Sequence, residues 1–189
     1  THNGNVYYYD IEGHMVYGWQ EIDGVGYYFC NVTGINVQGF QRKDGKTYYY
    51  LESGQKYIGE KQIDGKWYCF GNDGVMITGW YDLPGKKVYY GQDGAMCYGE
   101  QHINSKWYYF NTITGAMVIG WYDLPGKKVY YGQDGAMVYG TQVIEGKTYK
   151  FNTVTGALIM SAMALKAQMY NSNTGWLIMV DTSQNRVGI

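Results

Sequence analysis

The chain has 189 residues, with 28 Gly, 23 Tyr and 6 Trp against 2 Pro and 3 Cys, and a formal net charge of −1. An aromatic content of 18% argues against a disordered chain, and near-neutrality removes the basic footprint of a nucleic-acid binder. No apolar run reaches the roughly 18–20 residues of a membrane-spanning helix, and no charged stretch leading into an apolar one opens the sequence.

Along the chain, an incomplete unit comes first: Tyr7, Tyr8 and Tyr9, then Gly13 and Met15. Gly18, Gly39, Gly59, Gly79, Gly99, Gly120 and Gly140 each open a segment of 20 or 21 residues. Gly79–Gly99 and Gly120–Gly140 are copies 41 residues apart that differ only at Cys97 and Val138. A unit runs from its Gly through linker residues and Gly-Lys into an aromatic cluster, then a polar turn ending in Gly, then an apolar trio. Aromatic runs such as Trp107-Tyr108-Tyr109-Phe110 favour strands. Asn72-Asp73-Gly74, Gln92-Asp93-Gly94 and Gln133-Asp134-Gly135 read as hairpin turns, because Gly takes positive φ without steric cost. Each hairpin is therefore expected from one aromatic cluster, through that turn, to the Gly opening the next unit. One such hairpin is marginal in water, and stacking them buries their faces in series. The expected fold is all-β: a solenoid of stacked β-hairpins over residues 4–159, within a first domain of residues 1–159. A β-sandwich is the alternative, and near-identical 41-residue copies argue against it.

Composition changes after Ile159, and residues 160–189 read as the start of a following domain or a cap. Met160–Tyr170 lacks Gly and favours helix. Asn171–Gly175 reads as a turn, Trp176–Val180 as a buried strand, Asp181–Asn185 as a turn, and Arg186 begins another strand.

The repeat resembles the cell-wall-binding repeat of choline-binding modules, found in autolysins, phage lysins and surface proteins of Gram-positive bacteria. The residues that carry the resemblance are Gly79-Trp80, Gly120-Trp121, Lys66-Trp67-Tyr68, Lys106-Trp107-Tyr108-Tyr109-Phe110-Asn111 and Gly115-Ala116-Met117. Glucan-binding repeats of streptococcal glucosyltransferases and receptor-binding repeats of clostridial toxins are similar, and Phe110-Asn111-Thr112 and Phe151-Asn152-Thr153 look like the clostridial version. The resemblance implies a secreted, wall-associated module that binds choline or phosphocholine of teichoic acid through aromatic cages, with no cofactor. A glycan polymer is the alternative ligand, since sugar rings also stack on Trp and Tyr. The tail, with Val180-Asp181, a short turn and Arg186-Val187, looks like the opening of an L,D-transpeptidase domain. The targeting part of such an enzyme is therefore a further reading.

The same resemblance assigns each cage one Trp from either strand of a hairpin, with a Tyr and a Met from the next. That arrangement selects Trp67, Trp80, Tyr89 and Met96 as one set, and Trp107, Trp121, Tyr130 and Met137 as another. Strand alternation favours Tyr89 and Tyr130 over Tyr90 and Tyr131. A third set uses Trp19 with Tyr8 and Tyr28. In other hairpins Glu60, Glu100 and Thr141 replace one Trp, and Thr47, Lys87, Lys128 and Thr148 the other. A quaternary ammonium suits such cages, because aromatic faces attract a cation that has no N–H to donate.

No catalytic set stands out. His2, His14 and His102 lack metal-ligand spacing. Cys30, Cys69 and Cys97 occupy different places in their units and read as free thiols. Asp73, Asp93 and Asp134 read as turn residues.

Overall fold

The computed structural model describes residues 2, 4–159, 180–181 and 186–187. The described residues form sixteen short strands. They are β1 (Gly18–Ile22), β2 (Val25–Phe29), β3 (Gly39–Lys43), β4 (Lys46–Tyr50), β5 (Gly59–Ile63), β6 (Lys66–Phe70), β7 (Gly79–Leu83), β8 (Lys86–Tyr90), β9 (Gly99–Ile103), β10 (Lys106–Phe110), β11 (Gly120–Leu124), β12 (Lys127–Tyr131), β13 (Gly140–Ile144), β14 (Lys147–Phe151), β15 (Val180–Asp181) and β16 (Arg186–Val187). Each odd-numbered strand pairs with the strand that follows it, in a two-stranded sheet. The chain divides into two compact units, Thr1–Gln101 with Tyr109–Met117, and His102–Tyr108 with Val118–Ile189.

The period is the expected one, but the hairpins are set half a unit away from expectation. Their turns are the two-residue loops inside the segment read as a linker, such as Asp64-Gly65 between β5 and β6. There both residues have positive φ, 48° and 77°, which matches strand twist in a two-residue turn. Pro84-Gly85 serves the same purpose between β7 and β8, with Pro setting one φ and Gly85 supplying the positive one, 77°. The Asn72-Asp73-Gly74 loop instead leads out of the hairpin. Beyond it the chain returns beside the end of its own strand, with a single bridge, Phe70↔Met76.

That return segment is what joins one hairpin to the one before. In the first unit the Lys56 N–H donates to Gly26 O (2.8 Å), Met76 N–H to Thr47 O (2.7 Å), Met96 N–H to Trp67 O (2.8 Å) and Met117 N–H to Lys87 O (2.7 Å). In the second unit Met137 N–H donates to Trp107 O (2.8 Å) and Leu158 N–H to Lys128 O (2.7 Å). Neighbour-to-neighbour bonding of this kind is the logic of a β-hairpin solenoid.

The last residue of each even strand from β2 to β14 is buried: Phe29, Tyr50, Phe70, Tyr90, Phe110, Tyr131 and Phe151. Burying each such ring contributes about 1.5–3 kcal/mol. In six registers the residue opposite is the Gly that opens the hairpin, as Gly79 faces Tyr90. Conformation rather than crowding requires that Gly. Its φ is +80°, while a Cβ there would meet nothing within 4 Å. At Gly115 both reasons apply: φ is +68°, and a Cβ would run into Met96 Sδ. Cys69, Val88, Tyr90 and Met96 form a core cluster in the first unit.

In the tail, Val180 pairs with Val187 and Asp181 with Arg186. The expected helix over 160–170 and most of the strand at 176–180 lie outside the described residues, as does the far side of the proposed domain boundary.

Candidate ligand-binding site

Trp67 is the second residue of β6, and its cross-strand neighbour is Gln62. Its carbonyl is tied into the ladder by Met96, while its side chain is 39% exposed. The ring lines a cleft of about 240 Å³ with Glu60, Met96, Tyr98, Lys86 and Thr114. Lys86 Nζ donates to Thr114 O at 2.8 Å. Glu60 accepts from the Tyr90 hydroxyl at 3.4 Å. Burial, and after it the Glu60 carboxylate, pushes the Tyr98 phenol up, which keeps it neutral. The cleft thus offers an open indole face, a phenol, a thioether and one carboxylate, a lining suited to a weakly hydrated cation. Burial, then Glu60, also raises the thiol of nearby Cys69. Cys30, Cys69 and Cys97 are all free thiols.

Trp107 repeats the backbone arrangement in the second unit, with Met137 on its carbonyl and a side chain that is 41% exposed. Here His102 lies against the indole, with centroids 4.9 Å apart.

Trp80 and Trp121 are built differently. Trp67 and Trp80 belong to successive hairpins, not to one, because the hairpin turns lie elsewhere than expected. Trp80 faces its own cross-strand neighbour Tyr89, with centroids 5.1 Å apart and planes at 73°; Phe110 is 5.7 Å away. Trp121 and Tyr130 repeat that geometry at 5.1 Å and 73°, and Tyr149 adds a second near-perpendicular ring at 4.9 Å. Centroids this close mean direct ring contact, so a cation fits beside these corners and not between the rings. A lysine already stands at each rim: Lys87 Nζ is 6.0 Å from the Trp80 ring and 3.3 Å from Asp82. Lys128 Nζ is 5.9 Å from Trp121 and 3.4 Å from Asp123. Tyr89 and Tyr130 are partly open, whereas Tyr90 and Tyr131 are fully buried.

The third expected set is drawn together only in part. Trp19 packs on Tyr28 (4.9 Å), Tyr48 (5.3 Å) and Tyr50 (5.4 Å), and Lys43 Nζ lies 4.5 Å from its ring centroid. Tyr8 stacks on Phe29 at 6.3 Å.

Tyr98, Glu60 and Lys86 were not among the residues expected at a site. Tyr98 has a signal in the sequence: both 41-residue copies carry Tyr before the next opening Gly, as Tyr98 and Tyr139. Glu60 had been read only as the residue that interrupts a Trp pattern.

Stacked hairpins with exposed indoles in the clefts between them define a repeat-built binding module. Residues 78–120 and 118–162 match the family model of the choline-binding repeat, and residues 61–76 that of a putative cell wall binding repeat. Residues 78–162 are therefore choline-binding repeats. Among solved structures, CbpJ from Streptococcus pneumoniae TIGR4 is 30% identical with a TM-score of 0.70, the match covering 82% of this chain and 58% of that one. Choline binding protein F from Streptococcus pneumoniae is 31% identical with a TM-score of 0.73, over 85% of this chain and 56% of that one. The same protein in the presence of a peptidoglycan analogue, a tetrasaccharide-pentapeptide, is 31% identical with a TM-score of 0.72, over 84% and 56%. The chain thus spans a little over half the length of these relatives. No curated protein sequence matches it. None of these matches supports the transpeptidase reading of the tail, most of which lies outside the described residues.

Proposed function

We propose that this chain is a non-catalytic wall-binding module that takes the trimethylammonium group of choline, carried on teichoic acid at the cell surface. The observation that carries this reading is the exposed face of Trp67 in an open cleft with Met96, Tyr98 and Glu60. Trp107 with Met137 forms the equivalent position in the second unit, and the ring corners of Trp80 with Tyr89, and Trp121 with Tyr130 and Tyr149, offer further aromatic faces. Each aromatic contact contributes roughly 0.5–2 kcal/mol, so single sites are weak. A polymer that repeats its choline gains avidity from several of them. A glycan is the second reading, favoured by the broad exposure of Trp67 and Trp107 and by the peptidoglycan analogue used with choline binding protein F.

Calorimetry and tryptophan fluorescence with choline, and separately with soluble glucan and peptidoglycan fragments, test this. Saturable binding of choline in the millimolar range, weakened by Trp67→Ala, is the expected result. A fluorescence response to glycan alone would replace choline with sugar as the ligand.

A further inference from the structure

The hairpin interface before the Trp67 cleft holds a cleft of different chemistry. It has a volume of about 360 Å³ and is lined by Arg42, Lys46, Thr47, Met76, Thr78 and Gln92, among others. Thr47 stands one repeat before Trp67, and Thr78 one repeat before Tyr98, so both aromatic walls are replaced by hydroxyls. No carboxylate lines it.

Lys46 is freed by a change elsewhere in the repeat. The lysine that starts each of the next four even strands reaches the connecting loop of the following hairpin. Lys66 Nζ is 3.4 Å from Asp93 Oδ2 and Lys106 Nζ 3.1 Å from Asp134 Oδ2. Lys86 Nζ donates to Thr114 O at 2.8 Å and Lys127 Nζ to Thr155 O at 3.2 Å. The matching residue for Lys46 is Asp73, but Lys56 Nζ donates to the Asp73 carbonyl at 2.9 Å. Lys56 occupies the slot that Met76, Met96 and Met137 fill in later repeats, its stem packed under Gly74. Its ammonium emerges at the loop and takes the place Lys46 would have. Lys46 and its near neighbour Arg42 are then left without an ion-pair partner among the described residues, facing the cleft with two hydroxyls and an amide.

We propose that this cleft is a phosphate-binding subsite. A guanidinium and an ammonium with neutral donors around them hold a phosphate oxyanion through charge-assisted hydrogen bonds, and they repel a quaternary ammonium. The site stands on its own residues and does not depend on choline binding at Trp67. The two kinds of cleft at successive interfaces suit a polymer that carries phosphate as well as cationic groups.

The test is a titration of the full chain with inorganic phosphate, followed by 15N–1H correlation spectra at constant ionic strength, with chloride and sulfate as controls. Phosphate should shift the amides of residues 42–47, Thr78 and Gln92 saturably. Arg42→Ala with Lys46→Met should weaken this about tenfold or more, while the choline response of Trp67 stays unchanged. Lys56→Met should also weaken it, although Lys56 does not line the cleft, because Lys46 can then reach Asp73. Choline, phosphocholine and glycerol 3-phosphate, titrated separately, identify which part of a ligand is read. Equal shifts in chloride, or unchanged phosphate binding in both variants, would overturn the proposal; loss of the choline response alone would leave it standing and sink the choline reading instead.

Discussion

Trp19 and Trp67 lie in the same unit and have opposite surroundings. Trp19 is enclosed by three tyrosine rings, and the Lys43 ammonium caps its face at 4.5 Å. Trp67 looks into an open cleft. The first indole has its cation supplied by the chain, while the second has room for one from outside. The number of aromatic residues therefore does not define a cage; what decides is whether a lysine from the next hairpin already fills it.

The largest effect expected from breaking this comparison is on stability. Phe70→Ala removes a fully buried ring and should cost about 3–5 kcal/mol in chemical denaturation. Trp67→Ala, three residues earlier in the same strand, should cost about 1 kcal/mol or less and weaken choline binding roughly tenfold. A large stability loss from Trp67→Ala would make Trp67 a packing residue after all.

Lys43→Ala uncaps Trp19. It should cost about 0.5–2 kcal/mol, the range of a cation–π contact, and give Trp19 a fluorescence response to choline that the unaltered chain lacks. No new response would mean that the tyrosines alone close that site.

A smaller change of opposite sign is expected at the turn between β9 and β10. Asn104 and Ser105 both have positive φ, 48° and 62°, where the other hairpin turns place Gly second. Ser105→Gly relieves the left-handed strain and should raise stability by roughly 0.5–1 kcal/mol, seen as a higher urea midpoint. It should leave ligand binding unchanged.

The smallest effect concerns acid. The Ala95 backbone N–H holds the Asp93 carboxyl below its ordinary range, and the Ala136 N–H followed by Lys106 does the same for Asp134. A folded pKa below the unfolded value of about 3.9 gives stability that is present above that value. It is lost as pH falls through the folded pKa. Asp93→Asn with Asp134→Asn should flatten the acid limb of a stability-against-pH curve and change little at neutral pH.

The stack was legible in the sequence through its period, its opening glycines and the aromatic residues that end each even strand, since all three recur with the core. The position of the hairpins within that period was not. Asp-Gly occurs twice in the β5–β7 segment, at Asp64-Gly65 and at Asp73-Gly74. Only the first places both residues at positive φ, a backbone property that the dipeptide does not reveal. That half-unit offset separated Trp67 from Trp80 and made Tyr89 the cross-strand partner of Trp80. Lys43 over Trp19 was also hidden, because a lysine from the next hairpin reaches that ring only through the stacking of hairpins. Tyr98 was within reach of the sequence, repeated as Tyr139 in the second copy.

The most direct measurement is a choline titration that follows each tryptophan indole N–H in 15N–1H spectra. The account predicts that the Trp67 signal moves saturably while the Trp19 signal stays in place. Movement of Trp19 with Trp67 unmoved would contradict it.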